Sequence, residues 1–299
     1  VRIFYYIYCS IRRVSEERPE VNCKLHVYMR LLLTLILTLT CLASRAQQPT
    51  EEEYRSRDDA LWQTFSAQTD SLMRLIQAAE QPAIRDSLTS IYRALYDDVL
   101  QRNWQLALRY ATVPGGLQRC FMVRAYIPDD SLRAALGRLP ASLRRNRYAE
   151  AIRLHLRCRK IEPGGRIRDF TFRTPQGNRV RLSDYKGRQL LLLYGGLDCM
   201  GESGRKWLDK LYARTSREAL EIVVYWPVES IGELQRTAAA YPMPFAQVSD
   251  MKGDVTPFKI YYQAQATPTC FFIGRDGKLL HKSEGLDPDR FEKLIEEGR

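Results

Sequence analysis

Beyond residue 46 the chain carries four cysteines, Cys120, Cys158, Cys199 and Cys270, and two histidines, His155 and His281. Among side chains able to react near neutral pH, a thiol serves as both nucleophile and redox centre, so sulfur chemistry comes first. Asp198-Cys199-Met200-Gly201-Glu202 stands at the head of a predicted helix, Met200 to Arg214, in which Trp207, Leu208, Leu211 and Tyr212 recur at helical spacing. A thiol there faces orphan backbone N–H groups and the positive end of the helix, a placement that favours the attacking thiolate. Asp198 and Glu202 oppose a further negative charge, and Arg205 and Lys206 one turn on offset them in part, so the balance is open at this level. The plain alternative for Cys199 is a small residue capping a helix.

The other candidates suggest less. No Cys-x-x-Cys occurs, and two histidines with no matching cysteine spacing make no zinc site, so neither metal nor cofactor is expected. No two cysteines are closely spaced, and a chain this long needs no disulfide staples. Cys120 and Cys158 read as core or helix-surface positions and Cys270 as a core residue.

Of 299 residues, 45% are hydrophobic and 27% charged, an ordinary globular balance long enough for two domains. Met29-Arg30 followed by the apolar run Leu31 to Leu42 and the small-residue junction Ala43-Ser44-Arg45-Ala46 has the pattern of a signal peptide, residues 29–46, with cleavage before Gln47. A largely apolar run of twelve residues is too short for a comfortable membrane span of about 20. Cys41 raises lipidation as an alternative, although Thr38-Leu39-Thr40 lacks the small residues expected before a lipidated cysteine. Residues 1–28 read as an over-long start ahead of Met29, with a retained signal-anchor as the competing reading. Without residues 1–46, which hold seven Lys/Arg and three Asp/Glu, the net charge falls from +11 to +7. The basic cluster from Arg144 to Lys160 scatters around a helix with no aromatic ladder, so no nucleic-acid partner is expected.

The elements that must position Cys199 follow from periodicity. From 50 to 160 apolar residues recur at three and four, as in Leu72, Leu75, Ile76 and in Leu88, Ile91, Tyr92, Leu95, Tyr96, Val99, so these stripes predict amphipathic helices and their core. Gln81-Pro82, Val113-Pro114-Gly115-Gly116, Ile127-Pro128-Asp129-Asp130 and Leu139-Pro140 mark the breaks, with Asp130 or Ser131 as the next cap. Ile161 to Gly165 ends the helical pattern and marks a domain boundary. Beyond it, Arg168–Phe172 and Asn178–Leu182 predict a hairpin around Thr174-Pro175-Gln176-Gly177. Gln189–Tyr194 and Glu221–Trp226 read as buried strands flanking the Cys199 helix, a parallel strand-helix-strand unit. A helix over Ile231–Ala240, a short segment Phe245–Val248, strands Cys270–Ile273 and Lys278–His281, and a helix Pro288–Glu296 capped by Asp287 complete the pattern.

In this order the elements resemble the thioredoxin-like superfamily in its TlpA-like, exported, Bacteroidetes-type form. Ile167-Arg168-Asp169-Phe170, Val180 to Gly187, Thr267-Pro268-Thr269 and Asp276-Gly277-Lys278 carry the resemblance, which spans about 130 residues. Residues 107–156 are similar, more loosely, to the helical segment preceding that domain in such proteins. The resemblance implies an α/β thioredoxin-like domain at 163–299 preceded by an all-α helical region at 50–160. It matches Cys199 to the attacking cysteine of the family's Cys-x-x-Cys and places Glu202 where the resolving cysteine belongs. Pro268 matches the family's cis-proline, and Thr267 with Pro268 then binds an extended substrate segment. The proximity of Cys270 to Pro268 leaves a Cys199–Cys270 disulfide open, provided their Cα atoms lie within about 7 Å.

The function expected is an exported single-thiol thiol-disulfide oxidoreductase or isomerase. It acts through Cys199 on protein thiols or disulfides of the periplasm or cell envelope, with an external reductase as a further partner. Any membrane attachment comes from the signal sequence or from lipidation at Cys41. Without an internal resolving thiol, net reduction is poor and isomerisation or partner trapping is favoured. A non-catalytic module keeping the substrate groove is the alternative. A thiol peroxidase ranks last, because peroxiredoxins normally place threonine three residues before the reactive cysteine, where this chain has Gly196.

Overall fold

The computed structural model describes residues 49–298. The expected signal peptide, the expected over-long start and the Cys41 alternative therefore lie outside the described residues. Helices α1 (Glu51–Ala78), α2 (Pro82–Arg109), α3 (Pro114–Met122), α4 (Asp129–Gly137) and α5 (Arg147–Arg157) come first. Pro82 and Pro114 open α2 and α3, where a missing N–H costs nothing. At the base of the α1–α2 pair, Asp58 accepts from Asn103 Nδ2 and from Arg119 Nη2, each at 2.9 Å, joining three helices through one carboxylate. Glu51 Oε2 accepts from Gly115 N at 2.9 Å, supplying α3 with an acceptor at its start.

Two expectations for this region need correction. The stripes of α1 and α2 are not core along their whole length: Val99 is buried, but Leu75, Ile91 and Tyr96 are 56%, 51% and 40% exposed. Each helix has 28 residues and runs about 42 Å, so away from the base each packs, among the described residues, mainly against the other. A helix pair covers the centre of each apolar arc and leaves its margins in water. Nor does Asp130 or Ser131 cap α4, which begins at Asp129 with Pro128 at the cap position and no side-chain cap. Asp129 and Asp130 instead occupy the first turn, where their charges meet the positive helix end.

Past α5 come β1 (Thr171–Arg173), β2 (Arg179–Arg181), β3 (Gln189–Tyr194), α6 (Gly201–Arg214), β4 (Leu220–Tyr225), α7 (Ile231–Ala240), β5 (Ala246–Val248), α8 (Pro257–Tyr261), β6 (Thr269–Ile273), β7 (Leu279–Glu284) and α9 (Pro288–Glu296). The hairpin strands are shorter than expected: Leu182 N donates to Phe170 O at 3.1 Å, one last bond in the ladder's register, and the chain then coils into a short helical turn over Leu182–Tyr185. The main sheet has the order β5-β4-β3-β6-β7, with β3, β4 and β5 parallel and β6 and β7 antiparallel to their neighbours. This mixed sheet, preceded by the helical region, is the α/β arrangement that the sequence resemblance implies.

Strand alternation divides the apolar residues between two faces. Leu191, Leu193, Ile222, Val224, Cys270 and Phe272 pack against Leu208 and Leu211 of α6, Leu234 of α7 and Phe291 of α9. Leu190, Leu192, Tyr194, Val223, Tyr225 and Phe271 pack with Phe172, Phe258 and Tyr262 on the other. Both faces are covered, which is why β3 reads as an unbroken hydrophobic run. Ile260 of α8 joins the helical core around Leu117, Phe121 and Ile152, so the helical region and the sheet share packing. Side-chain caps on Asn146, Ser230 and Asp287 start α5, α7 and α9.

Candidate functional site

β3 delivers the chain to Tyr194, and two glycines with positive φ, Gly195 (64°) and Gly196 (93°), then turn it toward α6. Gly196 has no room for a side chain: a Cβ would lie 2.4 Å from Pro268 Cβ and 2.6 Å from Pro268 N. A Cβ at Gly195 would lie 3.0 Å from Thr267 Cγ2. The loop before Cys199 is therefore laid directly on the loop before β6, and the Thr267–Pro268 peptide bond there is cis. Cys199 N and Met200 N both donate to Gly196 O, at 3.2 and 2.9 Å, tightening the turn into α6.

Cys199 is exposed, with its thiol directed at the same loop. The Sγ–H group lies 3.1 Å from Thr267 O, with Gly196 O at 3.6 Å and Thr267 Oγ1 at 3.9 Å as longer contacts. Met200 is the cap residue of α6 and provides no side-chain hydrogen bond. Gly201, at φ 71°, begins the helix. The structure thus brings Cys199, Thr267 and Pro268 together at one surface.

Glu202 belongs to the first turn of α6, but its carboxylate points elsewhere. It pairs with Lys206 Nζ at 2.7 Å, both side chains more than two-thirds exposed, so it contributes little to stability. Arg205 instead pins the loop to α6, since its Nη1 donates to Leu197 O at 2.7 Å and its guanidinium lies 5.7 Å from the Tyr241 ring centre.

The remaining described cysteines cannot stand in for a second active thiol. Cys270 lies in β6 opposite Leu193, is fully buried, and burial pushes its thiol up to about 12. Burial likewise pushes Cys120 up to about 12 and raises Cys158. All four described cysteines are free, so no Cys199–Cys270 bridge is present, and Cys199 alone among them is exposed. No group of His, Cys, Asp or Glu among the described residues could hold a metal ion. No described helix is long and apolar enough to cross a membrane.

Sequence reasoning overlooked Gly195 and Gly196 as site-builders, although two adjacent glycines between a strand and a cysteine signal a close backbone approach. It also missed Lys259 of α8, a buried cation whose Nζ is 5.7 Å from the Tyr194 ring centre and 3.4 Å from Asp254 Oδ1. Burial lowers its affinity for the proton. No local pattern marks a lysine for burial.

The AhpC/TSA family matches residues 163–282. Thiol-disulfide oxidoreductase ResA of Bacillus thuringiensis subsp. konkukian (strain 97-27) is 24% identical over 127 residues, 42% of this chain and 72% of that protein. The protein named "Probable glutathione peroxidase 2" of Arabidopsis thaliana is 29% identical over 154 residues, 44% of this chain and 90% of that one. Among solved structures, the thioredoxin domain of a thiol-disulfide oxidoreductase from Bacteroides vulgatus is similar at 20% identity and a TM-score of 0.41, covering 46% of this chain and 99% of that one.

Proposed function

We propose, from the membership of residues 163–282 in the thioredoxin-like AhpC/TSA family, that this chain is a single-thiol thiol-disulfide oxidoreductase or isomerase acting through Cys199. The observation carrying this reading is the exposed Cys199 Sγ 3.1 Å from Thr267 O, beside Pro268. In the reaction, Cys199 sulfur attacks one sulfur of a substrate disulfide. The Cys199–substrate S–S bond forms, the original S–S bond breaks, and the second substrate sulfur leaves as a thiolate with the electron pair. A thiol of the substrate or of an external reductase then attacks the mixed disulfide and releases Cys199. Thr267 and Pro268 line the place where an extended substrate segment lies against the sulfur.

Glu202 supplies no resolving sulfur, so isomerisation and partner trapping are favoured over net reduction. The apolar run and small-residue junction at 29–46 support export, which places the substrates among periplasmic or envelope proteins. Within the mature chain, 50–160 is a helical domain and 163–299 the thioredoxin-like domain. Reactivation of a scrambled disulfide protein and exchange with a glutathione mixed disulfide test this function. Wild type is expected to catalyse both and Cys199→Ser neither; equal rates in the two proteins would sink the proposal.

Glu202 also favours a second reading, a binding module that keeps the Thr267–Pro268 groove without turnover. Capture of a reduced, extended polypeptide by both wild type and Cys199→Ser, with no exchange in either, is its signature. The peroxidase alternative is disfavoured by Gly196, since a threonine there would collide with Pro268.

A further inference from the structure

A groove of about 740 Å³ opens between α5, the outward face of the β1–β2 hairpin and the 249–261 segment, and Cys199, Thr267 and Pro268 take no part in it. Arg168, Arg173, Arg179 and Lys252 line it, together with Tyr261 and Leu154. None of the four cations has a carboxylate within 4 Å among the described residues, in a chain with many Arg–Asp and Arg–Glu pairs elsewhere.

The two carboxylates at the groove are already engaged. Asp250 accepts from Tyr225 OH at 2.6 Å, Thr256 Oγ1 at 2.7 Å and Lys252 N at 3.1 Å. Asp169 accepts from Ser183 N at 2.9 Å. The cations make only neutral contacts: Arg173 Nη1 donates to Gly177 O at 3.2 Å, and the Arg168 guanidinium stacks 4.3 Å from the Tyr261 ring centre.

The arrangement of Arg173 and Arg179 is the telling feature. They are direct partners in the antiparallel ladder, both exposed and both on the face opposite Phe172. Directly opposed cross-strand side chains have Cβ atoms about 4.5–5.5 Å apart, and like charges there repel. A ligand carrying two negative charges at one point removes that repulsion. A phosphate monoester or terminal phosphate does so, with about −1.5 to −2 charge at neutral pH and three acceptor oxygens suited to arginine forks. A single carboxylate supplies half that charge. The Arg168–Tyr261 stack offers a flat platform beside the charge pair for the rest of the molecule.

We propose that this groove binds a phosphate-bearing ligand, with Arg173 and Arg179 holding a terminal phosphate and Arg168 and Lys252 flanking it. A soluble phosphorylated molecule and a phosphomonoester lipid headgroup share this chemistry.

Calorimetric titration of the full chain with inorganic diphosphate, in about 150 mM salt to screen general attraction, tests the site. Flotation with vesicles containing phosphatidate forms the second arm. Wild type is expected to bind one of the two probes, and Arg173→Ser/Arg179→Ser to weaken that binding at least tenfold. Arg290→Ser on α9, equally charge-reducing per residue but outside the groove, should stay within twofold of wild type. Diphosphate binding assigns a soluble ligand, and vesicle binding with no response to diphosphate assigns a headgroup. Arg168→Gln, which leaves the hairpin ladder intact, is the second variant and should also weaken binding at least threefold. Absence of binding in wild type, or equal binding by all variants, overturns the proposal.

Discussion

Replacing Gly196 by alanine probes the contact that builds the site. At φ 93° a non-glycine residue is strained by about 1–2 kcal/mol. Its Cβ would also fall 2.4 Å from Pro268 Cβ, an overpacking that costs about 1–3 kcal/mol in a well-packed region. Alanine returns about 0.4–1 kcal/mol by restricting the unfolded chain. Gly177→Ala is the matched control: φ there is 86° and no atom lies within 4 Å of the added Cβ, so it bears the backbone strain without the collision. The difference between the two variants, about 1–3 kcal/mol, isolates the contact between the Gly196 and Pro268 loops. At about 2–4 °C per kcal/mol for a chain of this size, Gly196→Ala should melt about 2–12 °C below Gly177→Ala. Urea unfolding followed by circular dichroism measures the energies directly. Because the clash parts Thr267 from Cys199, thiol exchange should fall in Gly196→Ala and persist in Gly177→Ala. Equal stability losses in the two variants would refute the steric argument, and unchanged exchange in Gly196→Ala would separate that contact from function.

Three further outcomes are expected. Glu202→Cys places a thiol one helical turn from Cys199; at an effective concentration in the mM range it should resolve mixed disulfides without added thiol, raising insulin reduction about tenfold or more at limiting external reductant. No gain would argue that resolution does not limit turnover. Iodoacetamide footprinting of native protein at pH 8 should label Cys199 and spare Cys120 and Cys270, whose thiols burial holds at about 12, until the chain is unfolded; mass spectrometry showing Cys270 labelled as fast as Cys199 would contradict the burial. His155 provides the pH test: burial foremost, with Lys160 and Arg124 nearby, lowers it from 6.5 to about 4, while Asp129 acts in the opposite sense. Between those values the unfolded chain binds the extra proton, so this contribution, at most about 3 kcal/mol, is present above pH 6.5 and is lost as pH falls toward 4. His155→Gln should flatten that part of the stability profile, and an unchanged slope would count against the assignment.

Much of the thioredoxin-like domain is legible in its residues because each element carries its own local signal. The unbroken apolar run of Gln189–Tyr194 announces a strand buried on both faces, and the structure places β3 at those residues. Asp287 ahead of Pro288 announces the start of α9, and Asp287 Oδ1 accepts from Arg290 N. Where the reading failed, the deciding partner was distant. An apolar stripe on Leu75 or Ile91 specifies a helix face but not whether anything covers it, and here the length of the α1–α2 pair carries both residues beyond the base. The expected cap of α4 fell on Asp130 or Ser131, whereas the helix starts earlier, behind Pro128, which has no side-chain acceptor; residue types that favour capping do not separate neighbouring starts.

The candidate site divides in the same way. Sequence alone determined the cysteine at a helix head, the glutamate rather than a second cysteine three residues on at Glu202, and the Thr267-Pro268 phrase, since these depend on residue type and order along the chain. Only the tertiary structure decided that Gly196 must be glycine because Pro268 occupies its side-chain space, that Glu202 turns to Lys206, and that Cys270 is sealed in the core. It also decided that Arg173 and Arg179 line one groove with Arg168 and Lys252 while the nearby carboxylates are engaged elsewhere. These facts depend on which distant segments meet, and contact, burial and repulsion become defined only when the chain has folded back on itself.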